Sequence, residues 1–305
     1  MTVAAVIGLG SMGPGIAATL ARGGLTVRAC DTSKQAAKAA PGLISAADAV
    51  LDALGMPDQS TGEEVSIVEG LEACVAGADL VIETVPEKLD LKRDIFRRLE
   101  ALVSERCVLA SDTSGIPITK LQEGSTSPTR IIGMHWSNPP HIIPIVEVIA
   151  GQHTAPAVAD WMVGTIKRLN LRPIIVKKDV PGFVENRVLY ALLRECVDLV
   201  ESGVIEADAL DTCVSWGIGY KLSVVGPMAL LDMAGLDIYQ AVSSYLNADL
   251  CARRDVSPYV SERAGEGRLG MKTGDGVYRY SPERIQALRQ ERARKLIAVR
   301  KVLEG

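Results

Sequence analysis

The sequence predicts an α/β protein in two parts: a doubly wound, parallel N-terminal sheet followed by an all-α C-terminal domain. Three observations predict it. Short apolar, β-branched runs alternate with helix-period stretches from residue 3 to residue 176. A glycine triplet with nucleotide-loop spacing follows the first of those runs. Strand signals then stop at Lys177-Lys178-Asp179-Val180-Pro181-Gly182, and only helical periodicity continues. The expected domains are 1–179 and 180–305.

The first strand is Val3–Ile7 (VAAVI), and GLGSMGPGIA follows at once. Gly8, Gly10 and Gly13 therefore fall on a strand–turn–helix. The first glycine makes the tight turn, the second lets a pyrophosphate approach the backbone, and the third lets helix pack on strand. Ser11 and Met12 complete the loop, and the helix N-terminus offers free N–H groups to phosphate. This is the signature of a Rossmann-type dinucleotide site. Residues 25–30 form a second strand with Asp31 at its end, 18 residues after Gly13. An acid there accepts the ribose hydroxyls and repels a 2′-phosphate, which favours NAD over NADP, with Arg28 and Lys34 as the opposing charges beside it.

Residues 33–54 read as an Ala-rich helix interrupted near Pro41-Gly42, and 56–64 as a polar loop. Short strands are expected at 65–68 and 78–85, the second of which contains an acid and leads to Pro86 and Glu87. Leu89–Leu102 is amphipathic, with Leu91, Ile95, Phe96, Leu99 and Leu102 on one face. Val108–Ser111 is a strand leading into Asp112-Thr113-Ser114-Gly115. Strands at 130–134 and 147–150, a helix at 156–169 and a last strand at Arg172–Val176 complete the sheet domain. Gly8, Asp31, Val85, Ser114 and His135 all fall at the carboxyl ends of strands, where such sheets bind ligands. Beyond the linker, 183–202, 207–216 and 225–245 read as helices, 270–280 as a turn-rich return and 281–304 as a charged helix.

The bulk numbers bound the function. The chain has 305 residues, 48% of them hydrophobic and 23% charged, enough for sizeable cores. A net charge of −4 without a basic face argues against nucleic acid. Six cysteines are scattered with no CxxC and read as reduced packing residues of a cytoplasmic protein. Three histidines without clustered cysteines give no metal site. No apolar run reaches membrane-spanning length, and the N-terminus lacks a charged n-region and cleavage pattern.

The chemistry concentrates in MHWSNPPHIIPIVEVI, residues 134–149. Glu147 lies in an apolar, β-branched run, where a lone carboxylate is expensive to bury. His135 is the obvious partner, and a carboxylate-held histidine is a general acid/base unit. The bland alternative makes His135 a satisfied core histidine and Glu147 an edge residue. Placement at the carboxyl end of a dinucleotide-binding sheet favours catalysis. His141, among prolines without a partner, reads as a loop residue that lines the pocket.

Six motifs in order resemble the L-3-hydroxyacyl-CoA dehydrogenase family over nearly the whole chain: GLGSMGPGIA, IETVPEKLDLKRDIF, SDTSG, HWSNPP…VE, VPGFVENR and KTGDGVYRY. The resemblance implies that His135 is the general acid/base and Glu147 its orienting carboxylate. It places Ser114, Asn138 and Asn186 around the substrate oxygen and nicotinamide, and Glu87, Lys92 and Lys272 on the cofactor. It also implies a homodimer through the helical domain, with Asn186 at a cleft closed by both domains. The chain departs from the acyl-CoA enzymes at 32–69, which is shorter. Its basic residues Lys34 and Lys38 are followed by Asp48, Asp52, Asp58, Glu63 and Glu64. A CoA diphosphate prefers Arg or Lys there, so the expected substrate is a small carboxylated alcohol or hydrated aldehyde. Arg187, Arg194 and Lys221, the last in an insertion within 217–227, are candidate contacts for its anionic groups, or else surface charges. Trp136 is a candidate stacking platform for a ring. Hydride loss from an aldehyde hydrate needs no thioester, in keeping with the absence of a cysteine in any motif. A short 3-hydroxyacyl-CoA is the alternative substrate. A non-enzymatic protein that kept the fold, as in the lambda-crystallin branch, is the alternative of another class.

Overall fold

The computed structural model describes residues 2–60 and 65–305. Glu63, Glu64 and the end of the expected polar loop lie outside them. The chain divides into two compact units, Met1–Arg187 and Val188–Gly305.

The first unit is an eight-stranded sheet in the order β3-β2-β1-β4-β5-β6-β7-β8. Along the chain its elements are β1 (Val3–Ile7), α1 (Gly13–Arg22), β2 (Thr26–Cys30), α2 (Lys34–Ala53), β3 (Ser66–Ile67), α3 (Leu71–Val75) and β4 (Leu80–Glu83). Then come α4 (Leu89–Leu102), β5 (Val108–Ser111), α5 (Ile118–Gln122), β6 (Ile131–Trp136), β7 (Ile145–Ala150), α6 (Pro156–Arg168) and β8 (Arg172–Val176). Alternate residues of β1 feed two cores, as a strand's two-residue period requires. Ala4 and Val6 join Ile16, Leu20, Trp136 and Met162 on one side. Ala5 and Ile7 join Phe96, Leu99, Leu109 and Phe183 on the other.

The sequence expectation and the structure differ at five places in this unit. The sheet is not wholly parallel: β6 and β7 pair antiparallel, because a short loop rather than a crossover helix joins them. Helix α2 runs through Pro41 without interruption, with Ala40, Ala47 and Leu51 buried along it. Its packing on the cores outweighs the single backbone bond that proline forfeits. Leu91 of α4 is exposed, and Lys92 is buried with Phe96 and Leu99. The buried stripe is turned by one residue, because Lys92 has an ionic partner inside. The short helices α3 and α5 gave no signal of their own.

The second unit is helical. It contains most of α7 (Glu185–Glu201), α8 (Ala207–Cys213), a π-helical turn at Val214–Gly219, α9 (Tyr220–Leu222), α10 (Pro227–Ala234), α11 (Leu236–Asp249), α12 (Pro258–Gly265) and α13 (Pro282–Glu304). The helix expected over 225–245 breaks at Gly235, whose φ of 96° ends α10 and opens α11. The segment 270–280 is a compact turn closed by bridges from Asp275 to Gly270 and Arg279. Ser281 caps α13 by accepting the Arg284 N–H at 3.2 Å. Among the described residues, no single helix is long and apolar enough to cross a membrane.

Candidate active site

The site grows from the pairing of β6 and β7. Antiparallel register sets His135 directly opposite Glu147, the closest relation two side chains on neighbouring strands can have. His135 Nδ1 lies 2.8 Å from Glu147 Oε2, and both residues are buried. Glu147 Oε1 accepts the backbone N–H groups of Val184 and Glu185 at 3.0 and 3.1 Å. A carboxylate accepting from two amides is ionised, so Nδ1 is the donor and Nε2 is left to meet a substrate. The Phe183 ring, at a φ of 48°, lies tilted at 5.7 Å from the imidazole.

Charge reinforces the arrangement. Burial pulls the His135 pKa down, but the Glu147 hydrogen bond and the charges of Asp112, Glu147 and Glu185 raise it above the ordinary 6.5. Burial pushes Glu147 up, yet His135 and the two amides hold it below the usual carboxylate range. Asp112 is buried at the end of β5 and accepts the Trp136 N–H at 2.8 Å. Burial pushes its pKa up to about 7.

The loop after β5 is tied in from two sides. Glu87 Oε1 accepts from Thr113 Oγ1 at 2.6 Å and from the Ser114 and Gly115 N–H groups at 3.1 Å. Asn186 Nδ2 donates to the Ser114 carbonyl at 2.7 Å. Asn138, exposed at the start of the β6–β7 loop, precedes Pro139 in a cis peptide.

The dinucleotide loop fits a cofactor. Gly8 has φ 103°, and a Cβ there meets Thr84 at 2.8–3.0 Å. A Cβ on Gly13 meets the Gly8 carbonyl oxygen at 2.0 Å. Gly10 faces open space within 4 Å, the bare backbone that a pyrophosphate needs. Ser11 and Met12 lead into α1, and Asp31 follows β2. Asp31 Oδ2 accepts the Leu9 N–H at 2.7 Å and Oδ1 the Ser33 N–H at 2.7 Å. Each oxygen keeps a lone pair for a ribose hydroxyl. Arg28 donates to the Ala76 carbonyl.

Three expectations change. Trp136 is fully buried in the core beneath α1 and α6, because strand alternation sends it to the face opposite His135. It cannot stack on a substrate. Lys92 is buried, with Nζ 2.7 Å from Glu83 Oε1, 3.1 Å from the Val85 carbonyl and 3.4 Å from Glu87 Oε2. Its ammonium is used up inside, so it supports Glu87 rather than touching the cofactor. His141 Nδ1 is buried without a partner and lies where a Cβ on Gly15 would be, 2.7 Å away. Burial lowers its pKa, so it is a neutral packing residue against α1. Arg187 is exposed and donates to the Pro181 carbonyl at 3.3 Å. Lys221, Lys272 and Arg194 belong to the second unit. There Lys221 and Lys272 are exposed, and Arg194 donates to the Arg253 carbonyl at 3.5 Å.

Sequence reasoning missed Glu83, Asp112, Ser137 and Glu185. Two signals were present: an acid inside the apolar run ADLVIETV, and an acid immediately after β5 in SDTSG. Nothing in the sequence pairs Ser137 with Glu185.

Comparison with known proteins settles the kinship. The 3-hydroxyacyl-CoA dehydrogenase NAD-binding domain matches residues 3–180, and the C-terminal domain of the same family matches residues 182–280. The chain belongs to the 3-hydroxyacyl-CoA dehydrogenase family. It is therefore an NAD-dependent oxidoreductase, and residues 3–180 are its NAD-binding domain. A 5-formyl-3-hydroxy-2-methylpyridine 4-carboxylate 5-dehydrogenase of Mesorhizobium japonicum is 58% identical over 302 residues, covering 99% of this chain and 98% of that protein. The crystal structure of an enzyme of that name, described as an NAD+ dependent dismutase, superposes with a TM-score of 0.96 at 57% identity, covering 100% and 99% of the two chains. A probable 3-hydroxybutyryl-CoA dehydrogenase of Deinococcus radiodurans is 34% identical over 280 residues, 90% of this chain and 99% of the other.

Proposed function

We propose that this member of the family is a 5-formyl-3-hydroxy-2-methylpyridine-4-carboxylate 5-dehydrogenase acting in vitamin B6 degradation. One observation carries the substrate assignment: 58% identity sustained over nearly the full length of both chains. The substrate is a small, flat, anionic aldehyde without CoA. That suits a 32–69 segment whose basic side chains are Lys34 and Lys38.

His135 Nε2 takes the hydroxyl proton of the aldehyde hydrate. Bound NAD would supply the acceptor for the hydride on the same carbon, so that the product is a carboxylic acid. Glu147, held by two backbone amides, stabilises the imidazolium and fixes its tautomer. In the opposite direction His135 returns its proton to the oxygen of a second aldehyde, which is the chain's part in a dismutation. Ser114, Asn138 and Asn186 are the proposed polar groups around the carbonyl oxygen and nicotinamide. Gly8, Gly10, Ser11, Met12, Gly13 and Asp31 are the proposed cradle for the dinucleotide, with Glu87 and Lys272 as further contacts and Lys92 as support. Arg187 and Lys221 are the proposed contacts for the substrate's anionic groups.

The functional division is proposed at 179/180. Asp179 caps α5 through the Ile118 and Thr119 N–H groups at 3.0 and 2.7 Å, which ties it to the sheet. A cytoplasmic homodimer is proposed through the helical unit. In that unit the buried residues are Ser257, Gly276 and Arg300, and Trp216, Met228, Met233 and Tyr245 are exposed. Apolar surface of this kind asks for a cover, and sedimentation equilibrium showing a monomer at micromolar concentration would overturn the dimer. For the reaction, one screen of NADH formation compares the pyridine aldehyde with 3-hydroxybutyryl-CoA. We expect clear preference for the aldehyde. Efficient turnover of the CoA ester would sink the assignment, and NAD binding without any turnover would favour a non-enzymatic role.

A further inference from the structure

Glu185 opens α7, and its backbone N–H is one of the two that hold Glu147. Its side chain is engaged separately: Ser137 Oγ donates to Glu185 Oε1 at 2.6 Å. Ser137 lies two residues beyond His135, is itself buried, and precedes Asn138. Glu185 thus joins the β6–β7 loop to the helix that carries Asn186. One ring nitrogen of His135 and one carboxylate oxygen each of Glu147 and Glu185 all lie within 4.8 Å of one another. Two carboxylates this close repel, and the repulsion is relieved when a cation sits between them.

We propose that Glu185 is a positioning residue for proton transfer at His135, clamping Ser137 and presenting a second carboxylate to the imidazolium that forms there. The inference rests on His135 being the acid/base group. The charged groups facing that imidazole are Asp112 from the end of β5, Glu147 from β7 and Glu185 from α7. The Phe183 ring covers it without charge. Glu147 is already bound to Nδ1, so its effect on the proton is fixed by the register of two strands. Glu185 acts from a different element through space, so its contribution depends on the Ser137 bond that holds its side chain. A raised imidazole pKa enlarges the share of imidazolium at a given pH, the form that reduction starts from, and shrinks the share of neutral imidazole that oxidation starts from. Glu185 therefore helps to set the pH at which the two forms exchange.

The chain has three histidines, so the His135 imidazole can be followed by NMR, its signal identified by loss in His135→Ala. In Glu185→Gln the titration midpoint should fall by about 0.5–1 pH unit, the effect of removing one nearby, partly screened charge. Glu185→Asp, which keeps the charge, should recover most of that shift. The acid limb of kcat/KM for oxidation and the alkaline limb for reduction should move down together, with NAD affinity unchanged. A midpoint within about 0.2 units of the parent in Glu185→Gln, or an equal shift in Glu185→Asp, overturns the proposal. If the midpoint moves while both kinetic limbs stay in place, the acid/base role of His135 fails instead.

Discussion

Two buried charged clusters lie in the same sheet on either side of β5, and they differ in what they leave open. At the end of β4, Glu83 is completely buried and every group around it is spoken for. Its Oε1 takes Lys92 Nζ and the Val85 N–H, and its Oε2 takes Ser111 Oγ at 2.7 Å. Lys92 spends its remaining donors on the Val85 carbonyl and Glu87. Burial raises the Glu83 pKa, against the pull of Lys92 and its hydrogen bonds. At β6 and β7, Glu147 is equally saturated, but its partner is a histidine with a second ring nitrogen. One cluster is closed and holds the Glu87 loop in place. The other keeps one proton-accepting atom free. A buried ion pair is thus not by itself a sign of chemistry; an unfilled valence at its edge is.

The sharpest way to break this contrast is to remove the open end. His135→Ala should lower kcat by about 10²–10⁴-fold, the usual worth of a positioned acid/base. Tight binding of NAD should stay within a few fold, as calorimetry would show. Equal loss of NAD binding would make His135 structural. Lys92→Met tests the closed cluster and should do the opposite. It strands Glu83 and should destabilise the fold by about 3–5 kcal/mol in urea titration. Any surviving folded enzyme should keep a KM for NAD that is weakened through Glu87. Glu147→Gln should cost less turnover than His135→Ala, because it removes a supporting charge and not the proton acceptor. A larger loss would show that the tautomer, and not the proton, limits the reaction.

The pH profile separates the clusters further. Oxidation needs neutral His135, whose pKa is raised, so kcat/KM should climb with pH through a midpoint above 6.5. Reduction needs the imidazolium and should fall across the same midpoint. A midpoint at or below 6.5 in both directions would contradict the net effect of the three carboxylates. The smallest effect concerns Trp136. Trp136→Phe should lower stability by about 1–2 kcal/mol through lost packing and leave the substrate KM unchanged. A raised KM would restore it as a stacking platform.

Much of the fold was legible before any coordinates. The bounds of β1, α4, β5 and β8 follow directly from apolar runs and periodicity, and the glycine spacing marks the nucleotide loop. What misled was competition between local and tertiary preference. Leu91 belongs to an apolar stripe by period, yet Lys92 takes the inside position because Glu83 waits there. Pro41 predicts a break that packing against α1 overrides. Trp136 sits beside His135 in sequence and therefore points away from it in a strand.

The sequence alone pointed to the His135–Glu147 pair and to the glycine-rich loop, and it determined the α/β-then-helical order and the kinship, because each is carried by residues close together or by motifs with fixed spacing. The tertiary structure decided which charges are closed and which are open. The register of β6 on β7, the amides of Val184 and Glu185 on Glu147, and the Ser137–Glu185 bond join residues 12 to 48 positions apart. Local periodicity carries no information about such pairings. They exist only once strand pairing and the docking of the first turn of α7 have brought the groups within hydrogen-bond reach.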